Sequence, residues 1–145
     1  MRLVAAREKD AVALAGILWD WAAETPWMPK LHGRSETEVF LERLISRIEV
    51  TAIRNWRGVH GFLAREDELI HALYLRPRLR GHGWGARLLD TVKARSDTLT
   101  LWAFQANEGA RAFYRREGFV EVEKTNGAGN DEQLPDVRML WRSGI

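Results

Sequence analysis

Three short β-type runs between residues 50 and 75 constrain the fold of this chain more than any other feature. They are VTAIRN, VHGFLARE and LIHALYL, and only the breaks WRG and DE separate them. A parallel connection needs about a dozen residues or more, so breaks of this length predict three consecutive antiparallel strands. The third run ends before Pro77, after which a glycine-rich segment leads into an amphipathic helix pattern.

One strand and two helices are predicted before this meander. LVAA is typical of a short strand, and two apolar patterns with helical spacing follow it. We expect Asp10 to cap the first helix, and Ser35 with Glu38 to form a capping box at the start of the second. The apolar residues of the second helix that should face the core are Val39, Phe40, Leu44 and Ile45.

The remainder of the chain continues the alternation of strands and helices. LTLWAF predicts a strand, NEGARAFYRRE a helix that ends at a left-handed Gly118, and FVEVEKT and VRMLW two closing strands. The element order is therefore β-α-α-β-β-β-α-β-α-β-β, which predicts an α+β fold with a mixed sheet. A length of 145 residues suits a single domain over 1–145.

The composition excludes several classes of site. The chain has no cysteine, which excludes disulfides, thiolate metal sites and a cysteine nucleophile. Its four histidines show no paired ligand spacing, so we expect no metal site. The N-terminus is charged and no apolar run approaches the roughly 18 residues that span a bilayer, so we expect no membrane partner and a cytoplasmic location. A homodimer is compatible with these features.

The segment RGHGWG, between a predicted strand and a predicted helix, is typical of an anion site. Backbone N–H groups at the helix start carry partial positive charge, glycines let a phosphate approach them, and Arg80 adds hydrogen bonds. Gly81, Gly83 and Ala86 formally match a dinucleotide-binding fingerprint, but the loop with Pro77 is long and the ribose-binding acid is missing. A plain connecting loop and an arginine-rich nucleic-acid-binding module are alternatives, although the net charge of +2 disfavours nucleic acid.

Two motifs in this sequence resemble those of a known family. The strand, Pro77-x-x-Arg80-x-x-Gly83-x-Gly85 and the helix after it are similar to the acetyl-CoA pyrophosphate loop of the GNAT superfamily of N-acetyltransferases. LWAFQANEGARAFYRREGF resembles the second signature of that superfamily, in which a strand precedes Asn107 and an amphipathic helix. The resemblance covers residues 3–141 by element order and is tight over about 69–119.

The resemblance implies a GNAT-like fold whose central parallel strands, LIHALYL and LTLWAF, splay apart around the pantetheine arm of acetyl-CoA. It implies main-chain contacts to the coenzyme from Leu73 and Leu75, and a bond from Asn107 to a pantetheine amide. Tyr114 matches the tyrosine that protonates the departing thiolate. The residues implied to hold the pyrophosphate are Arg80, Gly81, His82, Gly83, Trp84 and Gly85.

An amine acceptor must lose a proton before it attacks. His71 is the first candidate for the base, because it shares strand parity with Leu73 and Leu75 and its reference pKa suits proton relay. Glu68, at the start of the same strand, is the second. The acceptor should lie between the loops 22–34 and 126–136, against Trp27, His32, Asp131 and Glu132.

The expected function is therefore the transfer of an acetyl group from acetyl-CoA to a small or peptidic primary amine, by direct attack in a ternary complex. A protein that binds acetyl-CoA without turnover, as a regulator, is the main alternative. The presence of both Asn107 and Tyr114 argues against it. A nucleic-acid partner would leave the second motif unexplained.

Overall fold

The computed structural model describes residues 1–144, which form seven strands and four α-helices in the predicted order, with short 3-10 turns at Glu8–Asp10 and Pro77–Leu79. The strands are β1 (Arg2–Ala5), β2 (Glu49–Asn55), β3 (Gly58–Glu66), β4 (Leu69–Leu75), β5 (Thr98–Phe104), β6 (Val120–Thr125) and β7 (Asp136–Arg142). The helices are α1 (Ala11–Glu24), α2 (Arg34–Arg47), α3 (Trp84–Lys93) and α4 (Glu108–Arg116). The predicted α+β class with a mixed sheet is confirmed.

The strands form one sheet in the order β1-β2-β3-β4-β5-β7-β6. The predicted meander is confirmed, because β2, β3 and β4 pair antiparallel in succession. β4 and β5 are parallel, and only Leu69–Thr100 and Ile70–Leu101 pair between them. The two strands therefore diverge beyond these pairs, which opens the centre of the sheet toward the carboxyl end of β4.

Helices cover both faces of the sheet. On one face, α1 and α2 bury Leu14 and Leu41 against Phe62 of β3. On the other, Leu88 of α3 and Tyr114 of α4 join the core residues of β5 and β7. Burial of these apolar side chains is the main stabilising term for a chain of this size. The opening between β4 and β5 thus lies between two packed layers.

Asp10 does not cap α1 as predicted. Its carboxylate accepts a hydrogen bond of 2.8 Å from the backbone N–H of Arg7 and pairs with the guanidinium of Arg54 in β2. Burial alone would raise the pKa of Asp10, but the bonds from Arg54 and Arg7, with the charge of Arg54, outweigh it and lower the pKa below 3.8. Asp10 therefore ties the start of α1 to the sheet.

The predicted start of α2 is also wrong. The helix begins at Arg34, so Ser35 lies inside its first turn and forms no capping box with Glu38. Leu44 and Ile45 pack against the core as predicted, whereas Val39 and Phe40 are 46% and 56% exposed, contrary to the prediction. Successive helical residues point about 100° apart, and the buried Leu41 shows that the inward face passes through position 41 rather than through 39 and 40.

The Asp10–Arg54 pair predicts an acid-sensitive contribution to stability. Asp10→Asn should lower the free energy of unfolding by about 3 kcal/mol at pH 7, because it leaves Arg54 partly buried without its charge partner. The folded-state pKa of Asp10 is depressed, so this contribution is present above the unfolded pKa and is lost as pH falls through the folded pKa. Urea unfolding should therefore show a smaller difference in stability between Asp10→Asn and the unaltered protein at about pH 3 than at pH 7.

Asp90→Asn provides a matched control for this measurement, since Asp90 is an exposed residue of α3. Its substitution should change stability by less than about 0.5 kcal/mol at both pH values. A loss for Asp10→Asn that is no larger than that of the control, or that grows in acid, would contradict the stabilising role of the pair.

Candidate functional site

Several side chains that could take part in a reaction lie where β4 and β5 diverge. The opening, which we call the strand gap, encloses about 80 Å³ between the two strands and α4. The polar side chains on its walls are His71, Tyr74, Asn107 and Tyr114. Leu73, Ala103 and Ala110 supply apolar walls between these polar groups.

A larger cavity of about 620 Å³ continues from the strand gap along the N-terminus of α3, and we call it the α3 cavity. Almost all of the residues predicted to bind the coenzyme line it. They are Leu73, Leu75, Arg80, Gly81, Gly83, Trp84, Gly85 and Asn107, and the predicted catalytic residue Tyr114 lines the cavity with them. His82 is the exception, because it is exposed between two glycines and does not line the cavity.

Glycines shape the entrance to α3. Gly81 and Gly83 have φ of +77° and +84°, in the left-handed region that side chains other than glycine rarely adopt. Gly83 is the residue that precedes α3, so this conformation turns the chain into the helix. Gly85 is needed for a different reason, since a Cβ there would lie 2.9 Å from Cζ of Phe113. Glycine at this position therefore lets α3 and α4 approach each other.

Two arginines of the loop before α3 are held by acidic residues of α1. Arg80 Nη2 lies 2.7 Å from Glu24 Oε1, and Arg80 Nε donates to the carbonyl of Leu75 at 3.2 Å. Arg76 Nη1 lies 3.3 Å from Asp20 Oδ2, one helical turn earlier. Arg80 is thus at the cavity with its charge already paired. Sequence reasoning missed both carboxylates, although their spacing of four residues places them on one face of α1.

Asn107 has a structural role in addition to its place on the cavity wall. Its side-chain oxygen accepts a hydrogen bond of 3.1 Å from the backbone N–H of Ala110, which caps α4. An asparagine side chain also carries two N–H donors, and these remain for another partner. The predicted contact with a pantetheine amide would therefore use the nitrogen of Asn107 as a donor.

Tyr114 is buried in α4, with only 8% of its surface exposed, and lines both the strand gap and the α3 cavity. Its ring packs against Phe113 and Phe119, with centroids 5.2 Å and 5.5 Å away. Burial raises the pKa of Tyr114, and the neighbouring Tyr74 raises it further. The phenol is therefore protonated at neutral pH and can donate a hydrogen bond into the gap.

A β-bulge changes the predicted orientation of His71. Ala64 pairs with Ala72 while Arg65 pairs with Ile70, so His71 is an extra residue in β4. Simple alternation predicted that His71 and Leu73 point to the same face of the sheet, and the bulge makes that prediction wrong. His71 nevertheless reaches the strand gap, and its Nε2 lies 3.1 Å from Oε1 of Glu66.

Glu68, the second predicted base, is not brought to the site. It lies in the exposed turn between β3 and β4 and lines neither the strand gap nor the α3 cavity. Its carbonyl oxygen accepts a hydrogen bond of 2.8 Å from the N–H of Thr100. The prediction failed because Glu68 precedes β4, whereas the α3 cavity lies beyond the other end of that strand.

The second large cavity, of about 560 Å³, lies between α1, α2 and the loops predicted to hold the acceptor, and we call it the α1 cavity. His32, Asp131 and Glu132 line it, together with His71 from β4. His32 Nδ1 lies 3.1 Å from Oε2 of Glu36, another residue of its wall.

Trp27 takes a different position from the one predicted. It is not part of the wall of the α1 cavity but packs edge-to-face on Trp21 and on Phe104, at 5.9 Å and 5.7 Å. Trp27 therefore connects α1 to the end of β5. It supports the residues around the site rather than facing an acceptor directly.

Tyr74 and Trp21 are functional candidates that sequence reasoning missed. Both line the strand gap, the α3 cavity and the α1 cavity. Tyr74 alternates with Leu73 and Leu75, so its side chain lies on the α1 side of the sheet. A tyrosine within the otherwise apolar end of LIHALYL was the available signal.

Neither a metal cluster nor a membrane-spanning helix accompanies this site within residues 1–144. No group of three or more histidine, aspartate or glutamate side chains in that part of the chain is arranged to hold a metal ion. None of the helices in the same range is both long enough and apolar enough to cross a membrane.

Comparison with known proteins assigns this fold and site to a family. The family model of the acetyltransferase (GNAT) domain matches residues 45–121, which include β4, α4 and every residue that lines the α3 cavity except Trp21. The chain therefore belongs to the GNAT acetyltransferase family. The resemblance noted from the two motifs is confirmed, and with it the GNAT-like fold.

Individual relatives agree with this assignment. Peptidyl-lysine N-acetyltransferase YiaC of Escherichia coli is 28% identical over 143 residues, which cover 93% of this chain and 94% of that protein. An uncharacterized N-acetyltransferase of Methanocaldococcus jannaschii is 33% identical over 78 residues, and this match spans 50% of the chain but only 34% of that relative. The structure of yncA from Salmonella typhimurium with its cofactor acetyl-CoA is 16% identical and superimposes with a TM-score of 0.74 over 100% of this chain and 95% of that one.

The left-handed conformation of Gly83 generates a test of the loop geometry. Gly83→Ala should destabilise the protein by about 1 kcal/mol, because a Cβ meets no atom there but strains the backbone. Gly33→Ala is a matched control, since Gly33 precedes α2 with an ordinary φ of −74° and equally open surroundings. Urea unfolding should separate the two variants; equal stabilities would contradict the strained geometry.

Proposed function

We propose that this protein transfers the acetyl group of acetyl-CoA to a primary amine by direct attack in a ternary complex. The observation that carries the proposal is the junction of two large cavities at the strand gap, where the buried Tyr114 presents a hydroxyl group. One cavity would hold the coenzyme and the other the acceptor. Both reactants would then reach the same small space.

The α3 cavity suits a coenzyme with a charged end and an extended arm. The N-terminus of α3 with its left-handed glycines favours the pyrophosphate, as helix N-termini favour anions in general. Beyond Ile70 and Leu101, β4 and β5 leave their facing backbone edges unpaired with each other. An extended pantetheine arm could therefore bond to β4 at Leu73 and Leu75 as an added strand would.

In the proposed reaction, the amine nitrogen attacks the thioester carbonyl carbon, a C–N bond forms and the C–S bond breaks. Tyr114 stabilises the departing thiolate by donating its phenolic hydrogen bond. Full proton transfer from a phenol to a thiolate is uphill by at least about 2 kcal/mol, and the raised pKa of Tyr114 increases this cost. Donation of a hydrogen bond therefore describes its role better than complete transfer.

The α1 cavity suits a cationic acceptor with an apolar chain. Trp19 and Phe40 are among its apolar walls. Its three carboxylates, Glu36, Asp131 and Glu132, outnumber its one lysine, Lys30. A lysine side chain combines an aliphatic stem with an ammonium group, and YiaC is named as a peptidyl-lysine N-acetyltransferase. We therefore propose a peptidic lysine as the acceptor class.

The acceptor ammonium must be deprotonated before it attacks, at a cost of about 4.6 kcal/mol for a lysine at pH 7. His71 is the proposed base, because it lines both the strand gap and the α1 cavity. Glu66, 3.1 Å from its Nε2, would orient the imidazole and stabilise the imidazolium that forms. The proton would thus leave on the acceptor side of the gap.

The proposed function predicts amine-dependent release of free thiol from acetyl-CoA. Across a panel of amines, a blocked peptide with one lysine should release thiol, and mass spectrometry should show that peptide acetylated. Tyr114→Phe should lower kcat by about 100-fold, because only the hydroxyl is removed, while the Kd for acetyl-CoA stays within about twofold. Binding of acetyl-CoA without thiol release for any amine would instead establish a non-catalytic binding protein.

The ion pair between Arg80 and Glu24 predicts a gain in coenzyme affinity. Glu24→Gln removes a negative charge beside the proposed pyrophosphate site and frees Arg80 to bind phosphate. Calorimetry should show a Kd for acetyl-CoA lower by about threefold than that of the unaltered protein. Glu8→Gln, at an exposed position before α1, should leave that Kd unchanged. Weaker binding by Glu24→Gln would show that Glu24 positions Arg80 productively.

A further inference from the structure

The proposed reaction assigns roles to Tyr114 and His71 but none to Tyr74, which lies near both. Tyr74 lines the strand gap and both large cavities, a property it shares with Trp21. Tyr74 is therefore one of the residues that border the passage from the α1 cavity to the strand gap. Tyr74 stands on the acceptor side of the sheet, whereas Tyr114 belongs to the layer on the other face.

Aromatic packing fixes the ring of Tyr74. Trp21 contacts it edge-to-face at a centroid distance of 5.3 Å, and Phe62 of β3 lies 5.9 Å away. Trp21 packs in turn on Trp27, and Trp27 on Phe104, so a chain of rings runs from β4 to the end of β5. A side chain held in this way can position a ligand without losing further rotamer freedom.

The hydroxyl of Tyr74 is available to a ligand. Within residues 1–144, no side-chain nitrogen or oxygen that is fully buried lacks a hydrogen-bond partner. No protein group in that range bonds to the Tyr74 hydroxyl, so this oxygen borders cavity space. Burial and the nearby Glu132 raise the pKa of Tyr74 to about 12. The phenol is therefore neutral at pH 7, and its oxygen can accept a hydrogen bond without taking the proton.

We propose that Tyr74 positions the acceptor: its phenolic oxygen accepts a hydrogen bond from an N–H of the incoming amine at the entrance to the strand gap. This inference rests on the proposed function and adds a specificity-determining residue to it. Glu132, on the same cavity wall, attracts the ammonium form to this place. Amines that retain an N–H and carry a slender apolar stem fit against the wall that Tyr74 and Trp21 form together.

The two tyrosines then act on opposite ends of one reaction. The amine nitrogen, held by Tyr74, forms the bond to the carbonyl carbon as the bond from that carbon to sulfur breaks. The ammonium loses one proton to the base on the acceptor side before it attacks, and the nitrogen loses a second proton once the C–N bond has formed. One of these two protons ends on the coenzyme sulfur, whose thiolate the Tyr114 hydrogen bond stabilises first, and the other goes to solvent. Tyr74 keeps its own proton throughout, so the step balances without a change in its charge.

Steady-state kinetics of Tyr74→Phe test this role, because the variant retains the ring and its packing but lacks the hydroxyl. The acceptor is the blocked lysine peptide, or the amine from the panel with the highest kcat/KM if another is better. The KM for that amine should rise about tenfold while kcat falls less, since the lost bond acts on binding of the amine. Tyr114→Phe should show the reverse pattern, with the larger change in kcat.

Trp56→Phe serves as the control, since Trp56 lies in the turn between β2 and β3 and is 87% exposed. It should leave both constants unchanged. If the unaltered protein is active and Tyr74→Phe has an unchanged KM for the amine, the role of Tyr74 is overturned and the proposed function is not. Absence of amine-dependent thiol release in the unaltered protein would overturn the proposed function, and the role of Tyr74 with it.

Discussion

The parallel pairing of β4 with β5 is limited to Leu69–Thr100 and Ile70–Leu101, and the site depends on this limit. Unpaired backbone groups inside a protein carry a free-energy cost, so strands in the middle of a sheet normally bond along their length. Here β3 and β7 hold the two strands from the outer sides while the inner edges separate. The exposed edges and the space between them form the gap in which coenzyme and acceptor are proposed to meet.

Helix α1 connects the two large cavities through its side chains. Asp20 and Glu24 hold the arginines of the loop before α3, while Trp21, between them in sequence, lines both cavities and the strand gap. Partly exposed ion pairs contribute little to stability, so their chief effect here is to place charge. An anion that binds Arg80 would compete with Glu24. An anion bound in the α3 cavity would in that way change the ion pairs of the helix that also lines the α1 cavity.

Most of the fold could be predicted from the sequence, because the signals are local: turn-length breaks define the meander, and the glycine segment defines the entry into α3. Features that depend on tertiary packing could not. The bulge at His71 depends on the register of β4 against β3, and the position of Tyr74 depends on how α1 packs across β4. The ion pairs of Arg76 and Arg80 join residues that are more than fifty positions apart in sequence.

The central claim is that both reactants occupy the strand gap together and that the acetyl group passes directly between them. The chain has no cysteine, so a cysteinyl acetyl-enzyme is excluded, but other covalent routes differ in their kinetics. Initial rates with acetyl-CoA and the amine varied together decide between them. The account predicts double-reciprocal lines that intersect, as in a ternary complex. Parallel lines, with an acetylated protein detected by mass spectrometry before the amine is added, would contradict it.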